Sequence, residues 1–155
     1  MKFVSLVLLS VSALHGETLL SGGGASNGVW VDLETRLEPS SPPIYKHGGG
    51  TLTEKNVIKR HICNFDNNTY FGYDLTMERL PNGKVRLRFA PLTITPRQMS
   101  ELFERVQNWS ALVLPDGAPA SLEVRYGETV ALDLFVNHST GQKVTEYLTV
   151  KDKGR

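Results

Sequence analysis

The feature that most constrains this 155-residue chain is a period-2 alternation of apolar residues, repeated in short runs between turn signals. Val29, Val31, Leu33 and Leu37 fall on one side of an extended segment, with Trp30, Asp32, Glu34 and Arg36 on the other. Successive side chains of a strand point to opposite faces, so such a run buries one face and wets the other. The pattern recurs at Phe71, Tyr73, Leu75 and Met77, at Val130, Leu132, Leu134 and Val136, and at Val144, Leu148 and Val150. It predicts a mostly β domain, an antiparallel β-sandwich or open barrel of about seven to eight strands.

The punctuation refines this. A strand is expected over 57–64, followed by a turn at Asp66-Asn67-Asn68. Leu80-Pro81-Asn82-Gly83-Lys84 reads as a three-residue hairpin closed by a glycine bulge. Its register would place Met77 opposite Leu87, Leu75 opposite Phe89, Glu78 opposite Arg86 and Thr76 opposite Arg88. Thr95-Pro96-Arg97-Gln98 has the form of a capping box with proline at the first helical position. Met99, Leu102, Phe103 and Val106 then follow helical spacing, which predicts one amphipathic helix near 96–107 and an α+β class. Pro39-Ser40-Ser41-Pro42-Pro43 and Gly48-Gly49-Gly50 predict a long surface loop over 38–52.

The amino terminus reads as an address. Lys2 precedes an apolar run from Phe3 to Leu14, broken only by serines. A short basic start and an h-region of this length make residues 1–16 a signal peptide, with cleavage after Ala13 or Gly16. The run is shorter than the roughly 20 residues a membrane span needs, and no later run matches it. The expected organisation is 1–16 leader, 17–28 flexible Gly-rich lead-in, 29–150 single β-rich domain and 151–155 polar tail. The expected address is secreted or periplasmic.

Cys63 is the single cysteine, so no intramolecular disulfide can form and the fold depends on its hydrophobic core. The formal net charge of +1 offers no bulk attraction to nucleic acid or anionic membrane. Among catalytic candidates, His61, Cys63 and Asp66 lie close in sequence. However, His61 and Cys63 stand about 7 Å apart on one strand face, which makes direct activation of the thiol awkward without excluding it. The bland reading, a strand entering a turn, is preferred, and no catalytic residue is assigned. His47, His61 and His138 have no metal-ligand spacing, so neither a metal nor another cofactor is expected. No G-x-S-x-G elbow or P-loop appears. Asp32, Glu34, Asp74, Glu78, Asp133 and Glu146 are read as outward or ion-paired carboxylates rather than a glycosidase pair. Trp30, Phe135 and Tyr147 all fall opposite the aliphatic stripe; the preferred reading is that the helix or a loop covers them, and left open they are the candidate ligand-binding residues, since exposed aromatics mark contact surfaces.

The stretch Tyr126-Gly127-Glu128-Thr129-Val130-Ala131-Leu132-Asp133-Leu134-Phe135-Val136-Asn137, with Thr140-Gly141-Gln142-Lys143-Val144 and Tyr147-Leu148, resembles the closing hairpin of small exported bacterial proteins of β-sandwich type. Those proteins have no assigned activity, and the resemblance covers about the last 25 residues of the chain. It implies a sandwich in a bacterial envelope or secretome and assigns no functional residue. The expected function is therefore a non-enzymatic extracytoplasmic domain binding an envelope protein or glycan. The alternatives are a small secreted hydrolase with a site assembled from distant residues, or an assembly subunit using an exposed strand edge.

Overall fold

A computed structural model describes residues 5–6, 17–38, 47–64, 69–93, 120–136 and 143–152. These form ten strands: β1 (Ser5–Leu6), β2 (Glu17–Ser26), β3 (Val29–Glu38), β4 (His47–Glu54), β5 (Val57–Asn64), β6 (Thr69–Arg79), β7 (Val85–Pro91), β8 (Ser121–Val124), β9 (Thr129–Val136) and β10 (Lys143–Lys151). They make two five-stranded antiparallel sheets. Sheet A runs β1-β9-β10-β3-β2 and sheet B runs β4-β5-β6-β7-β8. The chain is mostly β, as the alternation predicts. Among the described residues there is no helix; the helix expected near 96–107 lies outside them, as does the turn at 66–68.

Both sheets contribute to one core. Val29, Val31 and Leu33 of β3, with Leu132 of β9 and Leu148 of β10, are buried with Ile58, Leu75, Met77, Val85 and Leu87 of sheet B. The β6–β7 hairpin has the expected register at every position: Met77 pairs with Leu87, Leu75 with Phe89, Glu78 with Arg86 and Thr76 with Arg88. Gly83 takes φ +82° and donates to Leu80 O at 3.1 Å, while Leu80 N donates to Lys84 O at 2.8 Å.

Two expectations are corrected. Residues 17–28, expected as a flexible lead-in, hold β2, which pairs along its length with β3 across a two-residue Asn27-Gly28 turn. Asn27 and Gly28 both have positive φ, the signature of the hairpin turn that Asn-Gly favours. The expected loop over 38–52 contains the first six of the eight residues of β4, so Gly48–Gly50 lie in a strand paired to β5. The reason is close approach. A Cβ on Gly22 would come within 2.5 Å of Thr51 Oγ1, and one on Gly24 within 2.5 Å of Thr53 Oγ1. Glycines in β2 thus let its backbone sit directly over the threonines of β4, closing the core at that side. These two strands raise the count above the expected seven to eight. Ser5–Leu6, inside the expected leader, pairs with Ala131 and Val130 at the outer side of β9.

Candidate functional site: the outer face of sheet A and the charges behind it

The alternation in β3 sends Val29, Val31 and Leu33 into the core and leaves Trp30, Asp32, Glu34 and Arg36 on the outer face of sheet A. Trp30 is half-buried, and its indole lies over Gly23 of the neighbouring β2, where a Cβ would come within 2.7 Å of Cζ2. Its Nε1 donates to Asp32 Oδ1 at 2.7 Å, which sets the ring's orientation. Asp32 in turn pairs with Lys151 of β10 at 2.5 Å. Tyr147 is also half-buried on this face, opposite Glu34 in the register of β3 and β10. The Arg36 guanidinium stands 5.9 Å from its ring centre and pairs with Glu34 at 2.5 Å. Each ring is therefore held beside one acid–base pair.

Trp30 and Tyr147 thus share a face, but Phe135 does not share their register. A bulge between Val144 and Thr145 in the β9–β10 ladder pairs Asp133 with Thr145 and Phe135 with Val144, leaving Leu134 as the extra residue. Val144 belongs to the buried row. Phe135 accordingly occupies a register position on the core row, and the simple alternation that grouped it with Trp30 and Tyr147 is broken one residue earlier. The side chain of Phe135 lies outside the described residues.

His61 is buried on the face of sheet B opposite the core, at a ladder position between Gly50 and Gly72. Burial, reinforced by the neighbouring Arg60 guanidinium, pushes its pKa down to about 4. The imidazole is therefore neutral at neutral pH and shielded from solvent. Cys63 pairs in the ladder with Gly48 and Tyr70; its side chain and all of Asp66 lie outside the described residues. Beside His61, Lys59 binds Asp74 at 3.3 Å and the backbone oxygen of Thr93, tying the chain after β7 onto this face. Among the described residues no group of His, Cys, Asp and Glu is arranged to hold a metal ion, and no helix is long and apolar enough to cross a membrane.

The largest departure from expectation is inside the core. Glu146, expected as an outward or ion-paired carboxylate, is ion-paired, but it has no solvent exposure, and neither has Arg60. Arg60 of β5 reaches across to Glu146 of β10, with Nε 3.0 Å from Oε2 and Nη2 3.2 Å from Oε1. Arg60 also donates to Thr51 Oγ1 (2.7 Å), Thr35 Oγ1 (2.8 Å) and Leu20 O (3.1 Å). Glu146 accepts further bonds from Thr35 Oγ1 and Tyr73 Oη, each 2.8 Å long. Burial and the Glu146 carboxylate, to which it donates, hold the Tyr73 pKa well above its usual value. Buried charges persist only when paired and fully bonded, and this network meets that condition with groups from both sheets. The signal was in the sequence: Arg60 sits between Ile58 and Ile62, and Glu146 between Val144 and Leu148, each at a core-facing parity. Two opposite charges at inward positions of separate strands predict a buried pair.

No protein-family profile, curated protein or solved structure matches this chain.

Proposed function

We propose that the chain is an exported, non-enzymatic binding domain of β-sandwich form that engages an envelope protein or glycan through the outer face of sheet A. The observation that carries this reading is the pair of half-exposed rings, Trp30 and Tyr147, each held in place by an adjacent acid–base pair. Rigid aromatic side chains lose little conformational freedom on contact and are favoured where a surface must bind. The basic, apolar first sixteen residues supply the export reading. The neutral, solvent-shielded His61 and the fully bonded Arg60–Glu146 network leave neither of these buried groups poised for chemistry at the surface, which supports binding over hydrolysis.

The test is retention of the leaderless domain on immobilised envelope material, comparing wild type with Trp30→Ala/Tyr147→Ala. Retention of the wild type and at least a tenfold loss in the double variant are expected. Equal retention of the two proteins overturns the assignment of the face.

Assembly is the second reading, and one observation favours it. Among the described residues only Ser5–Leu6 borders β9 on its outer side, so cleavage of the leader leaves β9 as an edge strand of sheet A, opposite the edge formed by β2. A strand of eight residues with open backbone groups is a template for strand addition. Sedimentation that shows a concentration-dependent dimer in the leaderless protein and a monomer in the full chain supports this second role.

A further inference from the structure

We infer that the ligand of the outer face of sheet A is an uncharged glycan chain. The inference rests on the binding-face reading above and adds the ligand's chemistry. Three acid–base pairs lie on this side of sheet A: Asp32 with Lys151 at 2.5 Å, Glu34 with Arg36 at 2.5 Å, and Asp133 with Lys143 at 3.8 Å. Among the described side chains of this face the two signs balance, and each of these six charges has its partner within the face. An anionic polymer needs a surplus of Lys and Arg, which this balance does not supply. A charged ligand of either sign would have to part a pair to gain one.

An uncharged polyhydroxyl ligand has no such conflict. A hydroxyl both donates and accepts, so a polyhydroxyl chain can bond to either member of an ion pair without parting it. Thr129 and Thr149, hydrogen-bonded to each other at 2.8 Å, add hydroxyls on the same face. The negative face of an aromatic ring attracts the weakly positive C–H face of a sugar. Gly23 provides the seat that lets the Trp30 indole lie against the sheet. Trp30 pairs with Lys151, and Tyr147 lies four residues earlier in β10, so the two platforms stand about 13 Å apart along the strands. That separation suits an extended chain that touches both rings rather than a single sugar.

Affinity gel electrophoresis of the leaderless protein tests this, with dextran, pullulan, laminarin and hydroxyethylcellulose as neutral probes and alginate as the polyanion. Retardation by at least one neutral probe is expected, unchanged between low and high salt. Trp30→Ala and Tyr147→Ala should each weaken it at least tenfold, and Trp30→Phe, which keeps a ring over Gly23, should weaken it less. Circular dichroism of each variant checks folding, and if Trp30→Ala unfolds, Tyr147→Ala and Trp30→Phe decide. Retardation by alginate alone, abolished by salt, overturns the inference, as does retardation that survives loss of both rings. No retardation by any probe, with ring-dependent retention on envelope protein, overturns the glycan and leaves the binding face standing. Failure of both assays removes the two together.

Discussion

Arg60 and Glu146 face one another between the two sheets, Nε to Oε2 at 3.0 Å, with no part of either side chain open to solvent. This contact joins β5 to β10, and through Leu20 O, Thr35, Thr51 and Tyr73 it draws in β2, β3, β4 and β6. Removing one partner strands the other charge in the core. Glu146→Leu or Arg60→Met alone is expected to lower stability by about 3–5 kcal/mol. The double variant Arg60→Met/Glu146→Leu should lose less than the sum, because no charge is left buried. Urea unfolding of the four proteins of the cycle measures the coupling, and strict additivity would count against the pair.

His61 gives a pH dependence whose sign follows from its environment. The folded pKa is about 4, against 6.5 for an unperturbed imidazole, so the unfolded chain binds the extra proton first. The contribution of His61 is full above pH 6.5 and is lost as pH falls from there to about 4, over a span worth about 3 kcal/mol. His61→Gln should flatten that part of the curve. Unfolding free energies of wild type and variant at neutral pH and near pH 4.5 provide the comparison. Parallel curves would contradict the burial of the imidazole.

Tyr73 works at the other end of the scale. Its pKa is raised, so above pH 10 the unfolded chain loses the phenolic proton while the folded chain keeps it. Stability is therefore lost as pH rises past 10. Tyr73→Phe keeps the edge-to-face contact with Phe89, whose ring centre is 5.4 Å away, but removes the hydrogen bond to Glu146. A cost of about 1–3 kcal/mol at neutral pH is expected. The variant should also lack the alkaline decline due to Tyr73, which unfolding measured at pH 9 and pH 11 would reveal.

Gly22 tests the close approach of β2 to β4. A Cβ there would come within 2.5 Å of Thr51 Oγ1 and 2.8 Å of Arg60 Nη1. Gly22→Ala should destabilise by about 1–3 kcal/mol through overpacking. Ser21→Ala, an adjacent exposed position on the other face, should change stability by less than about 0.5 kcal/mol. Equal melting temperatures for the two variants would contradict the packing of β2 over β4.

Much of this fold was legible where side chains reveal the pattern. The β6–β7 register followed from Pro81-Asn82-Gly83 and the alternation on either side, because turn chemistry and burial demanded the same pairing. β2 was illegible for the opposite reason. Its inward positions are Gly22, Gly24 and Ser26, which carry almost no side chain to alternate, and the groups filling the space belong to Thr51 and Thr53 of a different sheet. Asn27-Gly28 is the local clue, since Asn-Gly favours a two-residue hairpin turn. On the candidate face, Trp30 and Tyr147 could be placed from parity alone. Phe135 could not, because the bulge at Leu134 that shifts its register leaves no mark in the alternation. Arg60 and Glu146 were visible as parity violations, but each violation has meaning only when matched with the other.

The most direct test of the binding face uses Trp30 as its own reporter. The chain has two tryptophans, so a Trp109→Phe background leaves the Trp30 indole as the only one emitting. Titration of this leaderless variant with solubilised envelope material should produce a saturable change in emission, because a ligand stacked on the ring replaces water there. The change should disappear when Tyr147→Ala is added. An emission spectrum unaltered across the titration, under conditions where the protein is retained on the same material, would show that binding occurs elsewhere and contradict the assignment of this face.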